Sequence, residues 1–185
     1  MRTILSLCFA LISYSVIGQD KLTEYVAYRR LIEMTGTEYV LAAVQQRTKV
    51  RSEGEYLLFI NTKTGENLQV NIPPDSYIEK IEQIKLDTLQ INRVVVSGRM
   101  VNLNNDKSID YYDPEQIMVL STDGKEQIKI TPDNYFVSSY AINRQTGVIV
   151  VTGHVDSNNN KKWDRTDKNE IFLYDLKALK LVAKL

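Results

Sequence analysis

One unit of about 55 residues is used three times along this chain, and that repetition limits the fold more than any other feature. Val-Val-Val-Ser-Gly at residues 94–98 and Val-Ile-Val-Val-Thr-Gly at 148–153 are both β-branched runs that end in Ser/Thr-Gly. Each is followed by an Asn/Asp-rich loop and then by an acidic or amide residue that opens a second apolar run, at Gln116 and at Glu170. A last short run closes each unit, at residues 127–131 and 180–183. A third copy lies upstream. Residues 38–44 match the long strand, 55–65 the next strand and its turn, and 68–72 the last strand, with two-residue alternation. Its connector, residues 49–54, is short and lacks the Asn/Asp loop.

Each unit reads as a four-stranded antiparallel meander, so the expected class is all-β, with repeats at about 20–74, 75–132 and 133–185. The first strand of each unit is the least marked. Residues 135–142 fit a strand. Residues 22–34 and 78–86 are expected to be strands because the repeat requires them. A helix is the alternative, since Ser76 and Glu79 have capping-box spacing and Ile78, Ile81 and Glu82 fit one helical face.

The loops carry the chemistry. Asn102, Asn104, Asp106, Ser108, Asp110 and Asp113 in the first correspond to Asp156, Asn158, Asn160, Lys162, Asp164 and Asp167 in the second, at a constant offset of 54. Oxygen-bearing side chains stand at loop positions one, three, five, nine and twelve in both, position eight is apolar (Ile109, Trp163), and Ser108 and Lys162 at position seven offer a backbone carbonyl. Alternate side chains of a tightly wound loop converge on its centre, and Ca²⁺ takes ~6–8 hard oxygen ligands in a flexible cage. Three carboxylates in one loop repel each other without a cation, and a divalent ion turns that repulsion into attraction. The apolar residue at position eight is expected to turn away and anchor the loop to the sheet.

The loop register resembles that of the EF-hand calcium loop, within the loop alone, because strands rather than helices are expected to flank it. Lys107 and Lys161 stand where that family has Gly, and Asp113 and Asp167 stand where it has a bidentate Glu. These departures imply weak affinity, toward ~10⁻⁴–10⁻³ M. The order of strand, Gly, loop, apolar strand, Asp-Leu or Thr-Gly turn and short strand resembles the blades of TolB-like and WD40-like propellers. Trp163-Asp164 and Gly153-His154 do not stand where WD40 repeats carry such dipeptides. Propellers usually have ~4–8 blades. Three units therefore imply an open arc, a ring completed by two chains as a homodimer, or a sandwich or barrel.

The address is read from the N-terminus. Residues 4–17 are apolar apart from three serines, follow Arg2, and end in Val16-Ile17-Gly18. Fourteen such residues are too few to span ~30 Å of hydrocarbon. They read as a secretory signal cleaved near Gly18, which places the mature chain in the periplasm or outside the cell. No later run suggests a transmembrane helix. Cys8 belongs to the signal, so the mature chain has no Cys and forms no disulfide.

From Gln19 onward the chain has 22 basic and 23 acidic groups, which with no basic patch argues against nucleic-acid binding. His154 is the sole histidine, and its counterpart in the previous unit is Arg99, so a polar strand-end role is expected of it. No nucleophile elbow, phosphate-binding glycine loop or zinc set is present. Two readings of function follow. One is an exported, non-catalytic binding or scaffold module with calcium-stabilised loops and a protein or glycan partner outside the cytoplasm. The other is an exported glycan or ester hydrolase, or a fragment of one, using acidic residues at the blade tops.

Overall fold

The computed structural model describes residues 25–47 and 52–185. The expected signal segment with Cys8 lies outside the described residues, as do residues 49–51 of the first connector. The described residues form twelve strands in three antiparallel sheets, each in chain order. Sheet one contains β1 (Tyr25–Glu33), β2 (Tyr39–Arg47), β3 (Ser52–Asn61) and β4 (Asn67–Asn71). Sheet two contains β5 (Tyr77–Leu86), β6 (Ile91–Arg99), β7 (Glu115–Ser121) and β8 (Gln127–Lys129). Sheet three contains β9 (Tyr135–Asn143), β10 (Val148–Val155), β11 (Lys168–Asp175) and β12 (Lys180–Lys184). A 3₁₀ turn, Asp87–Leu89, joins β5 to β6. No sheet closes into a barrel, so three propeller-blade-like meanders form an open arc. No helix among the described residues is long and apolar enough to cross a membrane.

Sheet two is covered on both faces, and the two-residue pleat explains how its sequence achieves this. Val94 and Val96 of β6, with Leu120 of β7, join Leu41, Leu57 and Phe59 of sheet one in one buried core. Val95, Ile117 and Val119 point the other way, into a second core with Ile149, Val151, Phe172 and Tyr174 of sheet three. A strand buried on both faces reads as a continuous apolar run, which is how residues 94–96 stand out in the sequence.

The ambiguous segment at 78–86 is a strand, and a bulge accounts for its helix-like spacing. Ile78 pairs with Gly98 and Lys80 with Ser97, so Glu79 is an extra residue without a partner opposite. The extra residue returns Ile78 and Ile81 to the same face, and both reach the first core. The same bulge recurs at Arg29 in β1 and at Ser138 in β9. By register Val44, Gly98 and Gly153 hold equivalent positions, paired with Tyr56, Gln116 and Glu170.

Hairpin turns are set by local side-chain hydrogen bonds. Asn61, Asn143 and Asp175 each accept two backbone N–H groups through Oδ1, from Lys63 and Thr64, Gln145 and Thr146, and Lys177 and Ala178 respectively. Such turns fix the register of the strands they join.

Candidate metal-binding loops and the cleft between them

The two Asn/Asp loops leave corresponding strand ends, after β6 and after β10, and share most of the hydrogen bonds from their backbone N–H groups. The Asp106 N–H donates to Asn102 Oδ1 at 3.1 Å and to Asn104 Oδ1 at 2.9 Å. The Asn160 N–H donates to Asp156 Oδ1 and Asn158 Oδ1 at the same two distances, 3.1 and 2.9 Å. The Ser108 N–H reaches Asp106 Oδ1 at 3.1 Å, and the Lys162 N–H reaches Asn160 Oδ1 at 2.9 Å. Asn105 and Asn159 both adopt left-handed backbone, with φ of 57° and 56°.

The far half repeats as closely. Tyr112 and Thr166 donate backbone N–H groups to Asp110 Oδ1 and Asp164 Oδ1 at 2.9 and 2.7 Å. Asp113 and Asp167, both buried, clamp the loop ends. Asp113 accepts from the Leu103 N–H at 2.8 Å and the Asp110 N–H at 2.9 Å. Asp167 accepts from the Ser157 N–H at 3.4 Å and the Asp164 N–H at 2.8 Å. The carboxylates thus use some of their lone pairs on backbone N–H groups, and each carboxylate oxygen has further acceptor capacity.

The loops differ at position six. Lys161 is left-handed, with φ of 62°, and its N–H donates to Asp156 Oδ2 at 2.8 Å, while Lys107 keeps negative φ. Asp156 is buried at the head of its loop. Asp164 gathers hydrogen bonds from the Thr166 hydroxyl and backbone N–H and from the Asn158 and Asn160 amides, and they hold its carboxyl down at about 2. Among the described residues no three His, Cys, Asp or Glu side chains are gathered as a metal cluster. At its donor positions each loop combines two amides with three acids, so a hard cation would draw on amide, carboxylate and carbonyl oxygens together. That donor chemistry suits Ca²⁺ better than Zn²⁺, which prefers nitrogen and sulfur.

At position eight Ile109 is half-buried, while Trp163 of the second loop departs from the anchoring role expected of it. Trp163 is 56% exposed and meets the sheet through the ring of His154, edge to face at 5.7 Å. The rings of Tyr111 and Tyr112 lie 3.9 Å apart on the other loop, tilted by 36°, and are likewise exposed. Between the loops lies a cleft of about 810 Å³, bordered by the rings of Tyr111, Tyr112 and Trp163, by Asp106 and by Arg99 and Glu115. Burial pushes the Glu115 carboxyl above its ordinary range, with Glu79 adding to the effect and Ser97 and Arg99 opposing it. The Arg99 Nε is buried and has no hydrogen-bond partner.

The loop residues were legible in the sequence. The cleft was not, because Arg99, Tyr111, Glu115 and Trp163 converge only when neighbouring sheets pack. The tyrosine pair was its one visible mark. In comparisons with known proteins, no family model and no curated sequence matches this chain.

Proposed function

We propose that the chain is an exported, non-catalytic binding or scaffold module whose two loops bind Ca²⁺ and present the cleft between them to a protein or glycan partner. The observation that carries this reading is the repetition of one loop conformation, 54 residues apart, with oxygen donors at the same positions. Two unrelated polar turns have no reason to share six kinds of hydrogen bond. The blade-like arrangement resembles TolB-like propellers, whose repeated loops offer binding surface rather than a single reacting centre. The metal replaces missing disulfides as a staple. At ~1 mM free Ca²⁺ and a Kd of ~0.1 mM, linkage supplies about 1.4 kcal/mol per site.

Calorimetry and thermal unfolding with added Ca²⁺ test this. Millimolar Ca²⁺ is expected to raise Tm by about 3–6 °C per occupied site. Asp156→Ala should remove the share of the second loop. Absence of heat and of any Tm change up to 10-fold above ~1 mM Ca²⁺ rules the metal out. The hydrolase reading draws on one observation, the half-buried Glu115 beside exposed aromatic rings. Turnover of a glycan or ester substrate that disappears in Glu115→Gln, with the Ca²⁺ response intact, would favour it.

A further inference from the structure

We infer that two copies of this chain join head to tail to close a ring of six sheets. The register of the repeats leads to this closure. Call the face that each sheet turns toward the next in chain order its front, and the opposite face its back. The front of sheet one, with Leu41, Leu57 and Phe59, packs on the back of sheet two, with Val94, Val96 and Leu120. The front of sheet two, with Val95, Ile117 and Val119, packs on the back of sheet three, with Ile149, Val151, Phe172 and Tyr174. The chain therefore makes the same front-on-back seam twice.

Among the described residues two faces are left over, and both have the composition of a seam. The back of sheet one carries Val40, Ala42 and Val44 on β2 opposite Ile60, Leu58 and Tyr56 on β3, with Leu31 beside Ala42. These positions correspond by register to Val94, Val96, Gly98, Leu120, Met118 and Gln116 of sheet two. The front of sheet three carries Val150 opposite Leu173 and Thr152 opposite Ile171, with Ala183 beyond Leu173. They correspond to Val95, Val119, Ser97 and Ile117, which are buried in sheet two. None of these leftover residues belongs to either of the two core clusters; Ala42 and Val44 are already buried, whereas Leu31 on the back of sheet one and Leu185, hydrogen-bonded to Ile171 on sheet three, remain 69% and 74% exposed.

The occupant follows from this equivalence. The front of sheet three is built like the two faces that already seat on a back face, and the back of sheet one is built like the two that already receive a front. A second copy related by a two-fold axis supplies both at once, in two identical seams, and leaves no face open. The arithmetic of rings agrees. Propellers close with ~4–8 blades, and six is the one multiple of three in that range. The inference does not depend on calcium or on the cleft.

The test is the mass of the purified full chain in solution, by light scattering and by sedimentation, from about 1 to 100 μM, a range set by ordinary protein association. A mass of two chains is expected. Leu58→Lys and Leu173→Lys each place a charge in both seams, from opposite sides and from half-buried positions outside the two core clusters. Either is expected to weaken association by about 100-fold or more while leaving the far-ultraviolet circular dichroism unchanged. Leu58→Met and Leu173→Met, which keep the volume, should retain the two-chain mass and control for folding. A single-chain mass of the unmodified protein throughout that range overturns the inference. So does a two-chain mass that survives both Lys substitutions, or a mass that grows without limit. None of these results bears on the Ca²⁺ titration, so the two proposals fail separately.

Discussion

Gly153 lies against the Phe136 carbonyl so closely that a Cβ at residue 153 would stand 2.2 Å from that oxygen. Gly98 stands in the same relation to Tyr77, again at 2.2 Å. In both sheets the approach is made beside the bulge, where the first strand presses its backbone onto the second. The bulge alone does not demand glycine, because Val44 holds the equivalent place beside Arg29. The carbonyl contact does. Gly98→Ala and Gly153→Ala are therefore expected to lose about 1–3 kcal/mol each by forcing the strands apart. Urea unfolding measures this, and a loss within ~0.5 kcal/mol, as at ordinary surface sites, would show that the strands yield freely.

The two lysines at loop position six separate backbone strain from charge. Lys161 occupies left-handed backbone and Lys107 does not. Lys161→Gly is expected to stabilise the protein by about 1 kcal/mol. Lys107→Gly should cost about 0.5–1 kcal/mol through the freer unfolded chain. Paired denaturation midpoints, without metal, check the opposite signs.

Asp113 and Asp167 close their loops by accepting one backbone N–H on each carboxylate oxygen. Asparagine of the same shape offers a single acceptor oxygen. Asp113→Asn and Asp167→Asn should each cost about 0.5–1.5 kcal/mol, the net worth of a hydrogen bond whose partly exposed donor can turn to water. Amide hydrogen exchange at Leu103 and Ser157 locates the damage, since those N–H groups lose protection if they lose their acceptor.

Glu170 is buried near Lys168, at 3.1 Å, and Lys184, at 2.5 Å. Burial alone would raise its carboxyl, but hydrogen bonds and charge from Lys184 and Lys168 outweigh burial and hold it below the ordinary value of 4.5. A carboxyl depressed by folding stabilises the folded chain fully above its unfolded pKa. That contribution fades as pH falls through the lower, folded value. Tm is therefore expected to drop with acid below about pH 4.5, the usual glutamate range, and Glu170→Gln should flatten that part of the profile. A mutant profile parallel to the parent between pH 5 and 3, the window ~1 unit either side of that range, would remove Glu170 as a cause.

The sequence by itself determined the strands and the loop pattern, because both are local. Alternation and β-branching mark most of the strands, and the offset of 54 residues marks the twin loops. It also favoured a strand at 78–86 over a helix, though only by analogy between units. Tertiary structure decided the rest. The bulge that puts Ile78 and Ile81 on one face depends on which residue of β6 each meets, and pairing is not written in either strand alone. The 810 Å³ cleft depends on two sheets bringing Arg99, Glu115 and Trp163 together from separate repeats. Trp163 looked like an anchor because apolar side chains usually seek a core. The core of sheet three was already filled by Phe172, Tyr174 and their neighbours, and the indole was left in solvent over His154.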